Sequence, residues 1–118
     1  MTNISDSNEA RAFQLDKLRT DVASGRRPLR ITSHAQIEAF KDGLLLMDLR
    51  YTFENGEVIE VYPDDNRALL YADLPQYNLP VHIVVKDTPK EGIIVTAYIP
   101  DRGRWIANKR RRKRRGKR

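Results

Sequence analysis

The sequence predicts an α+β domain in which N-terminal helices pack on a four-stranded antiparallel sheet, followed by a disordered basic tail. Three observations predict it. Residues 81–86 (VHIVVK) and 93–99 (IIVTAYI) are β-branched runs of strand length, joined by a polar connector holding Pro89 and Gly92, which is the pattern of a hairpin. Residues 57–62 (EVIEVY) and 67–72 (RALLYA) form a second such pair around Pro63-Asp64-Asp65-Asn66, a turn by composition. Upstream of both, apolar residues recur at helical rather than strand spacing.

Taken in order, residues 1–7 are polar, and Asp6 or Ser7 is placed to cap a helix reaching about Ser24. Ala12, Leu15, Leu18 and Val22 give it one apolar face, and Gly25 is a natural stop. Pro28 disfavours a helical Arg27, so residues 26–31 are extended and are placed to add a short edge strand. Ser33 with Gln36 makes a capping box for a second helix, from His34 to about Lys41, with apolar positions Ala35, Ile37, Ala39 and Phe40. A third helix covers 44–53 and closes at Asn55-Gly56. In the central hairpin, Val81, Ile83 and Val85 face one way with Ile93, Val95, Ala97 and Ile99. His82, Thr96 and Tyr98 then face the other, beside Val84 and Ile94.

The length is that of one domain. The expected division is an N-terminal helix and linker over 1–30, a compact α+β domain over 31–108 and a tail over 109–118. The chain contains no cysteine, which removes disulfides and thiolate chemistry and fits a cytoplasmic location. No apolar run approaches the roughly 20 residues of a membrane span, and MTNISDSNEA has no signal-peptide pattern, so no membrane partner is expected.

The net charge of +6 is unevenly placed. Lys109, Arg110, Arg111, Arg112, Lys113, Arg114, Arg115, Lys117 and Arg118 are nine of the 22 basic residues, and no acid stands among them. The other 108 residues hold 13 basic and 16 acidic groups, a net of −3. A run of like charges without an apolar face is expected to be disordered and to pair with polyanions by releasing their counterions. The tail holds no aromatic side chain for stacking on bases, so it is expected to bind without reading sequence. RNA or the ribosome is the expected partner, with other nucleic acid as a further possibility. Trp105, between Arg104 and Ile106, either stacks on a base or caps the core.

Several motifs then fall in a familiar sequence: Ser33-His34-Ala35, residues 56–65 (GEVIEVYPDD), 80–85 (PVHIVV), 95–101 (VTAYIPD) and Trp105. With these the chain resembles the uncharacterised bacterial family called domain of unknown function 4258, over roughly residues 31–105. That resemblance implies a compact fold similar to RelE-like small ribonuclease toxins. It also implies a toxin-related or RNA-cleaving activity and an acidic, antitoxin-like protein as a possible partner.

Metal-independent RNA cleavage needs a base for the 2′-hydroxyl, an acid for the leaving oxygen and a cation at the phosphate. His34 and His82, the only histidines, are candidates for the first two tasks. Arg67 or Arg50 suits the phosphate, and Tyr98 with Thr96 suits orientation. Plain structural roles compete for each: backbone contact at a helix start for His34, and a Tyr98 partner within the sheet for His82. No metal-ligand spacing, phosphate-cradling glycine loop or nucleophile elbow is present, so no cofactor or metal is expected. Three readings result: an endoribonuclease working through paired histidines, a non-catalytic nucleic-acid-binding module using the tail, and a protein-interaction module.

Overall fold

The computed structural model describes residues 13–101 and the backbone of two short strands, Trp105–Ile106 and Arg110–Arg111. Helix α1 (Leu15–Ser24) ends as the sequence predicts. Gly25 takes the left-handed conformation at φ 81°, open to a residue without Cβ, and the Arg26 N–H donates to the Asp21 carbonyl at 2.8 Å. The helix begins only at Leu15, with Phe13 and Gln14 outside it, so the expected unbroken helix does not include those two residues; the residues before 13 lie outside the described ones.

Strand β1 (Leu29–Ile31) pairs parallel with β5 (Gly92–Tyr98), Leu29 opposite Gly92 and Ile31 opposite Ile94. Between them run α2 (Ser33–Lys41), α3 (Leu46–Asn55), β2 (Glu57–Tyr62), β3 (Arg67–Leu74) and β4 (Leu79–Asp87). The main sheet is therefore five-stranded and mixed, in the order β1-β5-β4-β3-β2, and not the four-stranded antiparallel sheet expected. The fifth strand has a non-local origin. The edge strand expected within 26–31 is present, but its parallel partner is gained only after the intervening chain has returned to it, which no local pattern reveals. Trp105–Ile106 and Arg110–Arg111 pair antiparallel as a separate two-stranded ribbon. The rest of the basic segment lies outside the described residues.

The cap of α2 is Thr32, one residue before the expected Ser33. Its Oγ1 accepts from the Ala35 N–H at 3.0 Å and also donates to the Val95 carbonyl, while its N–H donates to the Ile94 carbonyl. At the far end, Asp42 Oδ2 accepts from the Ile99 N–H at 2.8 Å. Both ends of α2 are thus fastened along β5. Helix α3 stops at Gly56, where a Cβ would stand 2.6 Å from the Thr52 carbonyl oxygen and 3.0 Å from that of Tyr71. Arg19 of α1 reaches over this stop, donating from Nε to the Phe53 carbonyl at 2.8 Å and from Nη2 to the Gly56 carbonyl at 2.6 Å. A cation at a helix C-terminus suits the dipole. Burial lowers the Arg19 pKa from its ordinary value, against the raising influence of Asp16 and Glu54.

One core forms between the helices and a single face of the sheet. Leu18, Ala35, Ala39, Leu49 and Phe53 meet Leu70, Ile83, Val85, Ile94 and Ala97. A bulge sets this face. Val84 pairs with Thr96 but Val85 pairs with Ile94, leaving Val95 as the extra residue. Ile94 therefore enters the core, where the alternation of the sequence places Val95.

Arg27 closes the structure at the hairpin end. Only 8% exposed, it donates from Nε to Asp21 Oδ2 at 2.8 Å, and from Nη1 to Asp87 Oδ1 at 2.7 Å and the Thr88 carbonyl at 2.6 Å. Burial opposes its charge, but the bonds to Asp87 and Asp21 outweigh that and hold its pKa above the usual value. Removing one member of a buried ionic group leaves the others unpaired. Arg27→Ala is therefore expected to lower unfolding free energy by about 3–5 kcal/mol in urea titrations, and Arg27→Lys, lacking the planar fork, is expected to restore less than half of that loss.

Candidate functional site

With the three described helices on one face, the other face of the sheet is read directly from the register. Tyr98, His82, Tyr71 and Glu57 stand opposite one another across β5, β4, β3 and β2. The next row is Thr96, Val84, Leu69 and Glu60, and the third is Ile93, Lys86, Arg67 and Tyr62. Paired residues project to the same side, so these rows form one surface.

His82 lies at its centre. It is fully buried, with edge-on ring contacts to Tyr71 (centroids 5.9 Å apart, 87° between planes) and to Tyr98 (5.3 Å, 63°). Its Nδ1 lies 3.3 Å from the Tyr98 hydroxyl. The Tyr71 hydroxyl donates to Asp73 Oδ2 at 2.6 Å. Where this row meets the end of α3, a cleft of about 290 Å³ opens, lined by Tyr51, Asn55, Glu57, Tyr71, Ala72 and Asp73. Its chemistry is two carboxylates among tyrosine rings and an amide, a set suited to a cation.

The sequence-predicted residues divide. His82 and Tyr98 are brought together. Arg67 shares their face but lies four residues from Tyr71 along β3, about 13 Å at strand rise. Its Nε is buried without a hydrogen-bond partner among the described residues. His34 is exposed on the first turn of α2, the helix whose Ala35 and Ala39 enter the core on the opposite side of the sheet. The sheet thus stands between the two imidazoles. The basic segment and the side chain of Trp105 lie outside the described residues, apart from the backbone pairing of Arg110 and Arg111.

Sequence reasoning missed two features. Tyr71 and Asp73 were hidden in an apolar-looking run, although their spacing of two, with Glu57 opposite Tyr71, would have placed them on one face. Ile37 and Phe40, read as apolar positions of the second helix alongside Ala35 and Ala39, are exposed with Leu45, Leu46 and Met47, each between 41 and 67%. The apolar run Leu45-Leu46-Met47 at the start of α3 was a signal for that exposure. Among the described residues, no group of three or more His, Cys, Asp or Glu is placed to hold a metal ion, and no helix is long and apolar enough to cross a membrane.

A mixed sheet with helices on one face and a histidine–tyrosine row on the other defines the class: a small α+β domain whose distinctive chemistry lies on the helix-free side. The chain belongs to the family described as a domain of unknown function (DUF4258), whose model matches residues 31–99. No curated protein and no solved structure matches it.

Burial separates the two histidines energetically. His82→Ala removes a packed ring and leaves the Tyr98 hydroxyl without it, so a loss of about 2–4 kcal/mol is expected. His34→Ala should stay within about 0.5 kcal/mol of the parent. Thermal unfolding of both variants checks this.

Proposed function

We propose that the protein is a non-catalytic nucleic-acid-binding module that holds RNA, or another polyanion of the same charge density, through residues 109–118. The observation that carries this reading is the segregation of charge: nine cations in ten residues, attached to a body of net −3. A body of that sign repels phosphate, so binding falls to the appended segment. Its chemistry is counterion release and gives affinity without base selection.

The endoribonuclease reading, with His34 and His82 exchanging protons and Arg67 and Tyr98 at the phosphate, asks for two imidazoles in one solvent-filled hollow. A buried His82 and a His34 across the sheet do not favour it. The RelE-like character that would accompany it has no support beyond the resemblance of short motifs.

The test is binding to a single-stranded RNA as a function of salt. With five to nine cations engaged, log K is expected to fall against log salt with a slope of about −3.5 to −6. Replacing the basic residues of 109–118 by glutamine should flatten that slope, while His34→Ala binds as the parent does. Binding that survives the replacement overturns the reading. RNA cleavage that is lost in both histidine variants would reinstate the nuclease.

A second reading rests on Ile37, Phe40, Leu45, Leu46 and Met47. Large apolar side chains clustered on successive surface elements commonly mark protein interfaces. If they do so here, Phe40→Asp and Met47→Asp release a co-purifying protein without lowering the melting temperature, as pull-downs and thermal scans would show.

A further inference from the structure

The helix-free face of the sheet poses a question that the helices do not answer. Leu69 and His82 are both fully buried on it, yet α1, α2 and α3 all pack on the opposite face. An uncovered face would leave the side chains at its centre wet. Around these two residues the surface is polar and signed. Glu57, Glu60 and Asp73 stand toward the β2 side, with the rings of Tyr51 and Tyr71 beside Glu57 and Asp73. Tyr98 lies across His82 on β5, and the cations of this face, Arg67 and Lys86, stand in the row beyond Leu69. Glu57, Glu60, Tyr71, His82 and Tyr98 are none of them without a partner.

We propose that residues 109–118 dock on this face of their own chain, with guanidinium and ammonium groups taken by Glu57, Glu60 and Asp73 and stacked on the tyrosines of the cleft. Charge selects the occupant. Residues 1–12, the other segment outside the described residues, carry two acids and one base and are repelled by the same carboxylates, whereas residues 109–118 carry nine bases and no acid. Cations are favoured both by carboxylates, through charge-assisted hydrogen bonds, and by aromatic faces.

Connectivity agrees. Strand β5 ends at Tyr98, in the very row that holds His82, Tyr71 and Glu57. That row crosses four strands, about 14 Å at the usual strand spacing. The six residues from 99 to 104 span up to about 20 Å when extended. The ribbon that follows turns Arg110 and Arg111 back beside Ile106 and Trp105, so the first cations of the run need travel no further than that hairpin. RNA and this face then compete for the same cations, and the body masks its own binding segment. The contact itself is independent of what the segment binds outside the molecule.

The absence of cysteine allows a direct test on the full chain without nucleic acid. A nitroxide label is placed at position 116 in Gly116→Cys and, separately, at position 5 in Ser5→Cys. Amide signals are then compared between oxidised and reduced label. The expected result is that the label at 116 broadens residues of β2, β3 and the end of β5, including 57, 60, 71, 73 and 98, while residues of α2 and α3 stay sharp. The broadening should vanish in the Glu57→Gln, Glu60→Gln, Asp73→Asn variant. It should also fade at about 1 M salt, where the screening length is about 3 Å, which reads the same contact should that variant fold poorly. Broadening of this face from position 5 but not from 116, broadening confined to the helices, or no broadening from 116 overturns the proposal. None of these outcomes bears on RNA binding, which the salt titration reads separately.

Discussion

The Arg27 guanidinium is the constraint on which the arrangement of the described residues turns. It joins Asp21 at the end of α1 to Asp87 and Thr88 at the tip of the β4–β5 hairpin. Pro28 follows at once, and its carbonyl accepts from the Gly92 N–H at 2.9 Å, opening the parallel β1–β5 ladder. Neighbouring Arg30 pairs through both Nε and Nη2 with Glu91, an exposed contact of small energetic weight. The buried fork matters more because three acceptors with little access to water depend on one planar donor. It also binds α1, which precedes the family match at residue 31, to the matched region. Arg19, midway along that helix, adds a second tie by closing α3. The first helix is thereby a working part of the same core, with Leu18 fully buried within it.

Committing three helices to one face has a consequence for chemistry. The core on the helix side is filled by aliphatic residues and Phe53. Groups able to move protons or meet charge are left to the helix-free side or to the outer helix surfaces. His82 took the first of these and His34 the second. Strand alternation fixes the face of His82, and His34 sits exposed on a helix packed against the other face.

That division explains what the sequence made legible. Strand β2 was found with both of its ends, and the Gly25 stop and the turn at 63–66 were found as well, because each is written in neighbouring residues. The pairing of His82 with Tyr98 was also accessible, since a hairpin register is local. The edge strand within 26–31 was legible too, but its parallel pairing was not, because Leu29–Ile31 meets β5 only through a crossover. Nor was the bulge at Val95: one unpaired residue exchanges Val95 for Ile94 in the core without leaving a mark on hydrophobic alternation. The exposure of Ile37 and Phe40 was hidden for a related reason. A short helix fastened at Thr32 and Asp42 turns only its Ala35 and Ala39 side inward, and small residues let it lie close on β5. The largest apolar residues are then left outward.

The same geometry gives the electrostatics its form. Folding gathers Glu57 and Asp73 at one cleft, although sixteen residues separate them in the chain, because β2 and β3 are neighbours and the two positions share a face. A carboxylate pair beside tyrosine rings attracts cations, and a cation already tethered to the chain meets it at least entropic expense. Tethering also limits how strongly it can hold. A contact made of partly screened ion pairs adds a modest free energy per pair, whereas a phosphate chain of high charge density gains counterion release with every cation it captures. On the proposed docking, an acidic body and a basic segment on one chain form a balanced couple: attraction sufficient to hold the segment against the body, and weak enough for a polyanion to draw it away.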